Sequence, residues 1–128
     1  MDLFTAAKTK IKDDKQHCAP LAVSLVTGVP FNKVRARMEA HGRRRRCGTP
    51  RWITFQVLSD LGFEYRMLDD LPLRCKTVSS LGKALSRRKL SRFLVFTRNH
   101  ALAVVDGKVQ DWTANRRHRV KFVFLVEK

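Results

Sequence analysis

The feature that most restricts the fold is a change of hydrophobic period partway along the chain. Before Arg92, apolar residues mostly recur at the three-to-four spacing of helices, in segments punctuated by glycine. From Arg92 onward they fall into short runs rich in β-branched and aromatic residues: RFLVFT, HALAVV, KVQDW and VKFVFLVE. Asp106-Gly107, between the second and third runs, carries a two-residue hairpin signal. Helices followed by hairpin-linked strands predict an α+β domain, with N-terminal helices packed on a C-terminal antiparallel sheet.

The helical part resolves into pieces. CAPLAVSLVTG, from Cys18, reads as a short helix apolar on most faces, with Pro20 in its first turn and Gly28 as its stop. PFNKVRARMEAHG places Phe31, Val34 and Met38 on one stripe with bases opposite. After the polar loop RRRRCGTP, Thr49 is a suitable N-cap for the helix PRWITFQVLSDLG, with Pro50 just inside it. Trp52, Phe55, Leu58 and Leu61 are its expected core stripe. FEYRML reads as a strand and SSLGKALSRR as a short capped helix.

At 128 residues the chain suits one domain. We read residues 17–126 as its core and residues 1–16 as an N-terminal extension. No apolar stretch approaches the ~20 residues of a bilayer span, and the N-terminus lacks a secretory apolar segment, so a cytoplasmic protein is expected. Three cysteines (Cys18, Cys47 and Cys75) form no disulfide-framework spacing, and no CxxC is present. No metal and no cofactor are therefore expected. Cys47 and Cys75 read as a loop thiol and a small apolar filler.

Twenty-seven basic residues against 11 acidic ones give a formal net charge of +16. A field of that sign attracts nucleic acid, acidic protein surfaces or anionic membrane. The bases cluster at Arg43, Arg44, Arg45 and Arg46, at Arg87, Arg88 and Lys89, and at Arg116, Arg117 and Arg119. These are either solvated loops or parts of one binding surface for nucleic acid or an acidic protein.

One constellation has the makings of a reactive site. Cys18 opens a helix, where unpaired backbone N–H groups favour a thiolate and can support an oxyanion. On its own, Cys18 is as well read as a core cysteine. If Asp106-Gly107 is a two-residue turn, Val105 faces Lys108, and His100 lies diagonally across from Asp111 on the face carrying Leu102, Val104 and Val109. A three-residue loop would flip the second strand and part the two. Singly, His100 reads as a strand-end residue and Asp111 as a turn residue. Together with Cys18 they fill the roles of nucleophile, base and orienting acid.

The order of these segments resembles the papain-like cysteine peptidases, closest to bacteriocin-processing domains and small phage or bacterial relatives. HCAPLAVSLVTGVPFNKV is similar to their Cys-containing opening helix, and CGTPRWITFQVLSDLGFEYR to their Gly-Thr second helix. RFLVFTRNHALAVVDGKVQDWTANRRHRV is similar to their His-to-Asp hairpin. The resemblance implies a papain-like fold, thiol-dependent hydrolysis of a peptide or isopeptide bond, and a phage-encoded protein acting in the host cytoplasm. It carries the nucleophile to Cys18, the base to His100 and the orienting acid to Asp111. His17 and Ala19 replace the usual Asp and Gly, and Lys12 stands where the family has its oxyanion glutamine, which leaves Gln16 as the nearby candidate. The alternative expectation is a non-catalytic scaffold whose basic surface binds nucleic acid or inhibits an acidic host protein.

Overall fold

The computed structural model describes residues 18–44, 48–111 and 113–128. The N-terminal extension, Gln16, Arg45, Arg46, Cys47 and Trp112 lie outside the described residues. Five helices and five strands follow one another as α1 (Cys18–Thr27), α2 (Phe31–Ala40), α3 (Arg51–Asp60), β1 (Glu64–Met67), α4 (Leu71–Arg74), α5 (Val78–Leu85), β2 (Arg92–Thr97), β3 (Ala101–Val105), β4 (Lys108–Gln110) and β5 (Val120–Glu127). The strands form one sheet in the order β1-β5-β2-β3-β4, each pair antiparallel. The domain is α+β, with the N-terminal helices packed on the C-terminal sheet, as the change of period predicts.

Strand alternation divides the core between the two faces. Ala101, Ala103 and Val105 of β3 pack with Val23, Val26, Val34, Met38, Val57 and Leu58 of α1, α2 and α3. Leu102 and Val104 join Phe93, Val95, Val78, Leu81 and Leu85, which sets α5 against the other face. All five residues of β3 are buried because helices cover both sides of this central strand. The hairpin after it is the two-residue turn the sequence predicts, with Val105 opposite Lys108. Asp106 and Gly107 take φ of 54° and 80°, the left-handed pair such a turn requires. A β-carbon on Gly107 would fall 2.5 Å from the Ser86 carbonyl oxygen, so glycine also lets the hairpin meet the end of α5.

Local signals account for most boundaries. Gly28, at φ +78°, follows α1 and donates to the Ser24 carbonyl, ending the helix. Thr77 caps α5 by accepting from the Ser80 backbone N–H, while the Ser80 hydroxyl accepts from the Thr77 N–H in a reciprocal capping box. The four-residue helix α4 has no period of its own in the sequence.

Four expectations are corrected. Thr49 does not cap α3: the helix follows Pro50, and the Thr49 hydroxyl instead accepts from Arg43 Nε at 2.8 Å. That contact draws Arg43 in from the basic loop; it is 4% exposed and is not a surface residue. Trp52 is 60% exposed, and the buried stripe of α3 is Ile53, Thr54, Val57 and Leu58. Arg35 does not stand opposite the apolar stripe of α2 but is buried beside it, its guanidinium 5.2 Å from the Phe31 ring centroid.

Candidate active site

The site forms where three structural elements end together. The first turn of α1 supplies Cys18, the end of the β2–β3 turn supplies His100, and the residue after β4 supplies Asp111. The β2–β3 connection is itself tight: the Thr97 backbone N–H and hydroxyl both donate to the His100 carbonyl, at 2.8 and 3.3 Å. This fixes the backbone from which the imidazole projects, with Arg98 and Asn99 at the tip.

The hairpin register brings acid and base together. With Ala103 opposite Gln110, the next step outward puts Asp111 beside the start of β3. His100 Nε2 lies 2.7 Å from Asp111 Oδ2. Their side chains are 17% and 5% exposed, so the contact is shielded from bulk water and is a strong charge-assisted bond when the ring is protonated. Asp111 is held in turn by Thr113, whose backbone N–H and hydroxyl donate to the same Oδ2 at 3.2 and 2.6 Å. Thr113 is wholly buried. Oδ2 therefore accepts three hydrogen bonds, and its direction towards His100 is fixed.

Nε2 being committed to Asp111, the ring's Nδ1 is the nitrogen left for Cys18, which hydrogen-bonds to His100. Burial pushes the Cys18 thiol up. The His100 hydrogen bond, the Ala101 backbone, the charge of the ring and the Ala19 backbone together outweigh it, and the thiol sits below its ordinary value of 9.0. Burial works against charge on His100 too. The hydrogen bonds to Asp111 and Cys18, and then their charges, overcome it and raise the ring from 6.5 to about 9. Each partner stabilises the ionised form of the other, so the arrangement favours a thiolate–imidazolium pair over two isolated groups.

The pair opens onto a cleft of about 460 Å³ between the first turn of α1, residues 48–51 and the β2–β3 turn. Gly48, Thr49 and Pro50 form one wall, and Thr97, Arg98 and Asn99 the other. A hollow of about 580 Å³ at the opposite end of β2, beside Arg92 and Val126, has no cysteine or histidine among the described residues that line it. Cys18, His100 and Asp111 are thus brought to one accessible place, with backbone N–H groups of Ala19 and Ala101 at the Cys18 sulfur.

The remaining candidates are scattered or outside the described residues. Arg44, Arg87, Arg88, Arg116 and Arg117 are exposed, the last four at the two ends of α5. Cys75 is half-buried against the α5 core, as a small apolar filler would be. Thr113 is the site residue that sequence reasoning missed. Its signal is the D-x-T spacing after a strand, which lets a threonine bond an aspartate two residues back. Among the described residues no helix is long and apolar enough to cross a membrane. Comparison with protein-family models, curated proteins and solved structures finds no match to this chain.

Proposed function

We propose that this protein is a papain-like thiol hydrolase that cleaves a peptide or isopeptide bond. The observation that carries the reading is the relay Cys18–His100–Asp111, in which the ring bonds the thiol on one side and a buried carboxylate at 2.7 Å on the other. In the reaction, the Cys18 thiolate attacks the carbonyl carbon and the imidazolium of His100 passes its proton to the leaving amine. Neutral His100 then takes a proton from water, which attacks the thioester and releases the acid with the thiol restored. Asp111 holds the ring in one orientation throughout and stabilises its charge, and backbone N–H groups at the start of α1 supply donors for the oxyanion.

The test is a mass-spectrometric search for new amino termini in a denatured peptide library, and for released lysine in a set of ε-linked isopeptides. Each is incubated with the protein and with Cys18→Ser. Products made by the native chain and absent with Cys18→Ser are the expected result. Identical products with both, or none with either, refute hydrolysis.

A binding role is favoured by a different observation, the exposed arginines at both ends of α5 on a chain of net charge +16. On that reading the scaffold holds nucleic acid or an acidic protein, and Cys18→Ser is silent. Affinity for a DNA duplex or single strand that falls steeply with salt, and a slope flattened by replacing Arg87, Arg88, Arg116 and Arg117 with Ser, are its signatures. Absence of binding at low salt removes nucleic acid as the partner.

A further inference from the structure

The cleft that holds Cys18 carries two cations whose charge the relay does not use. Arg51, the first residue of α3, and Arg98, at the tip of the β2–β3 turn, both line it. They reach it from different elements, and among the described residues that line it there is no aspartate or glutamate. Among the described residues neither arginine has a carboxylate partner: the ion pairs join Arg35 to Glu39, Arg74 to Asp70 and two histidines to Asp60 and Asp111. The acid bonded to His100, Asp111, is turned into that ring and Thr113, and its side chain is almost wholly buried.

Arg51 is also held in place. Its guanidinium carbon lies 4.7 Å from the centroid of the Phe122 ring. Phe122 is the β5 partner of Phe96, which itself lines the cleft. A guanidinium laid over an aromatic ring still presents its N–H groups in plane, in the fork that matches a carboxylate. Arg98 sits two residues before His100 in a turn closed by two hydrogen bonds, so its backbone moves with the base.

We infer that Arg51 and Arg98 make this a carboxylate-selecting cleft, which takes chains bearing an acidic group next to the bond presented to Cys18. The inference rests on the reading of Cys18 as the nucleophile and names the class of substrate for it. The shared chemistry is a carboxylate, whether from an Asp or Glu side chain or from a free C-terminus.

Two alkylating reagents of nearly equal size test this without a known substrate. Iodoacetate carries a carboxylate and iodoacetamide does not; with each, the thiolate sulfur displaces iodide from the CH₂ carbon and forms one S–C bond. The ratio of the two rates at Cys18 cancels the fraction of thiolate, which is common to both, and reads the preference of the cleft for the anion. Replacing both arginines (Arg51→Gln, Arg98→Gln) is expected to lower the ratio about tenfold, a modest local-field effect. Lys83→Gln with Lys108→Gln removes equal charge at the far end of β3 and is expected to change it by less than about twofold.

Two small probes separate the sources of the carboxylate by protecting Cys18 from iodoacetamide. N-acetylglutamic acid α-amide carries only a side-chain carboxylate, and N-acetylalanine only a C-terminal one. Protection by either supports the inference, and the stronger protector names the source. A ratio that falls no further in the arginine variant than in the lysine variant, or protection by neither probe, overturns it. If Cys18 outpaces Cys75 with iodoacetamide in that case, carboxylate selection alone has failed. If Cys18 reacts no faster than Cys75 with either reagent, the nucleophile reading falls with it.

Discussion

Replacing Asp111 with Asn removes one charge from the relay and almost nothing else. Three hydrogen bonds to the Asp111 side chain converge on Oδ2, from His100 Nε2, the Thr113 N–H and the Thr113 hydroxyl. An asparagine that puts its carbonyl oxygen at that point keeps all three donors, so the hairpin end is expected to survive. What changes is the imidazolium. Its rise from 6.5 to about 9 corresponds to about 3 kcal/mol in favour of the charged ring, and Asp111 supplies the first of the bonds that raise it. A hydrogen bond to a charged group contributes about 1.5–3 kcal/mol, so Asp111→Asn is expected to remove half or more of that preference.

The sign follows directly. In the native chain the ring stays charged until pH rises through about 9, and the Cys18 thiolate keeps its counterion across the neutral range. In Asp111→Asn the His100 titration moves down towards 6.5, and Cys18 loses part of its stabilisation between those limits. Two assays report this: the His100 Cε1–H chemical shift against pH by NMR, and the rate of iodoacetamide alkylation at Cys18 by peptide mapping. At pH 7 the alkylation rate at Cys18 is expected to fall several-fold, because the ring whose charge and hydrogen bond lower the thiol is less often protonated. An Asp111→Asn chain that folds, titrates His100 near 9 and alkylates Cys18 at the native rate would refute the reasoning.

Two further perturbations follow from the same geometry. Thr113→Val removes the hydroxyl that lies 2.6 Å from Oδ2 while keeping the backbone donor and the volume, so the chain should fold but lose about 1.5–3 kcal/mol, the contribution of one hydrogen bond to a charged group. The rate of Cys18 alkylation at neutral pH should fall by less than in Asp111→Asn, with Thr113→Ser restoring it; a Thr113→Val chain as slow as Asp111→Asn would show that the hydroxyl does more than orient. Gly107→Ala places a β-carbon 2.5 Å from the Ser86 carbonyl oxygen at a residue with φ +80°, and should cost about 1–3 kcal/mol or more in urea unfolding. An unchanged unfolding midpoint would show that the hairpin and α5 part easily.

The sequence made the base and acid legible because a two-residue turn leaves only one register. Once Asp106-Gly107 was read as that turn, Val105 opposite Lys108 followed, and with it the approach of His100 to Asp111. Cys18 was legible as a helix-start thiol, but its position beside His100 was not. Helix α1 packs on the face carrying Ala101 and Ala103, whereas Leu102 and Val104 face α5, and yet Cys18 and His100 meet. No spacing in the chain encodes that meeting. The error at Trp52 arose because α3 carries two overlapping apolar stripes, and the buried one includes Thr54, a polar residue that hid it. Arg43 was misread because a run of four arginines looks uniformly solvated, while the bond that buries one of them is made by a threonine after the loop.

The central claim is that Cys18 and His100 form an ionised pair in the folded protein, and the rate of alkylation by iodoacetamide against pH tests it most directly. We expect Cys18 to react well below pH 8 and ahead of Cys75, and His100→Ala to remove that advantage in a chain that circular dichroism shows to be folded. Slow, equal labelling of Cys18 and Cys75 that rises only near the pKa of an ordinary thiol, unaffected by His100→Ala, would contradict the account.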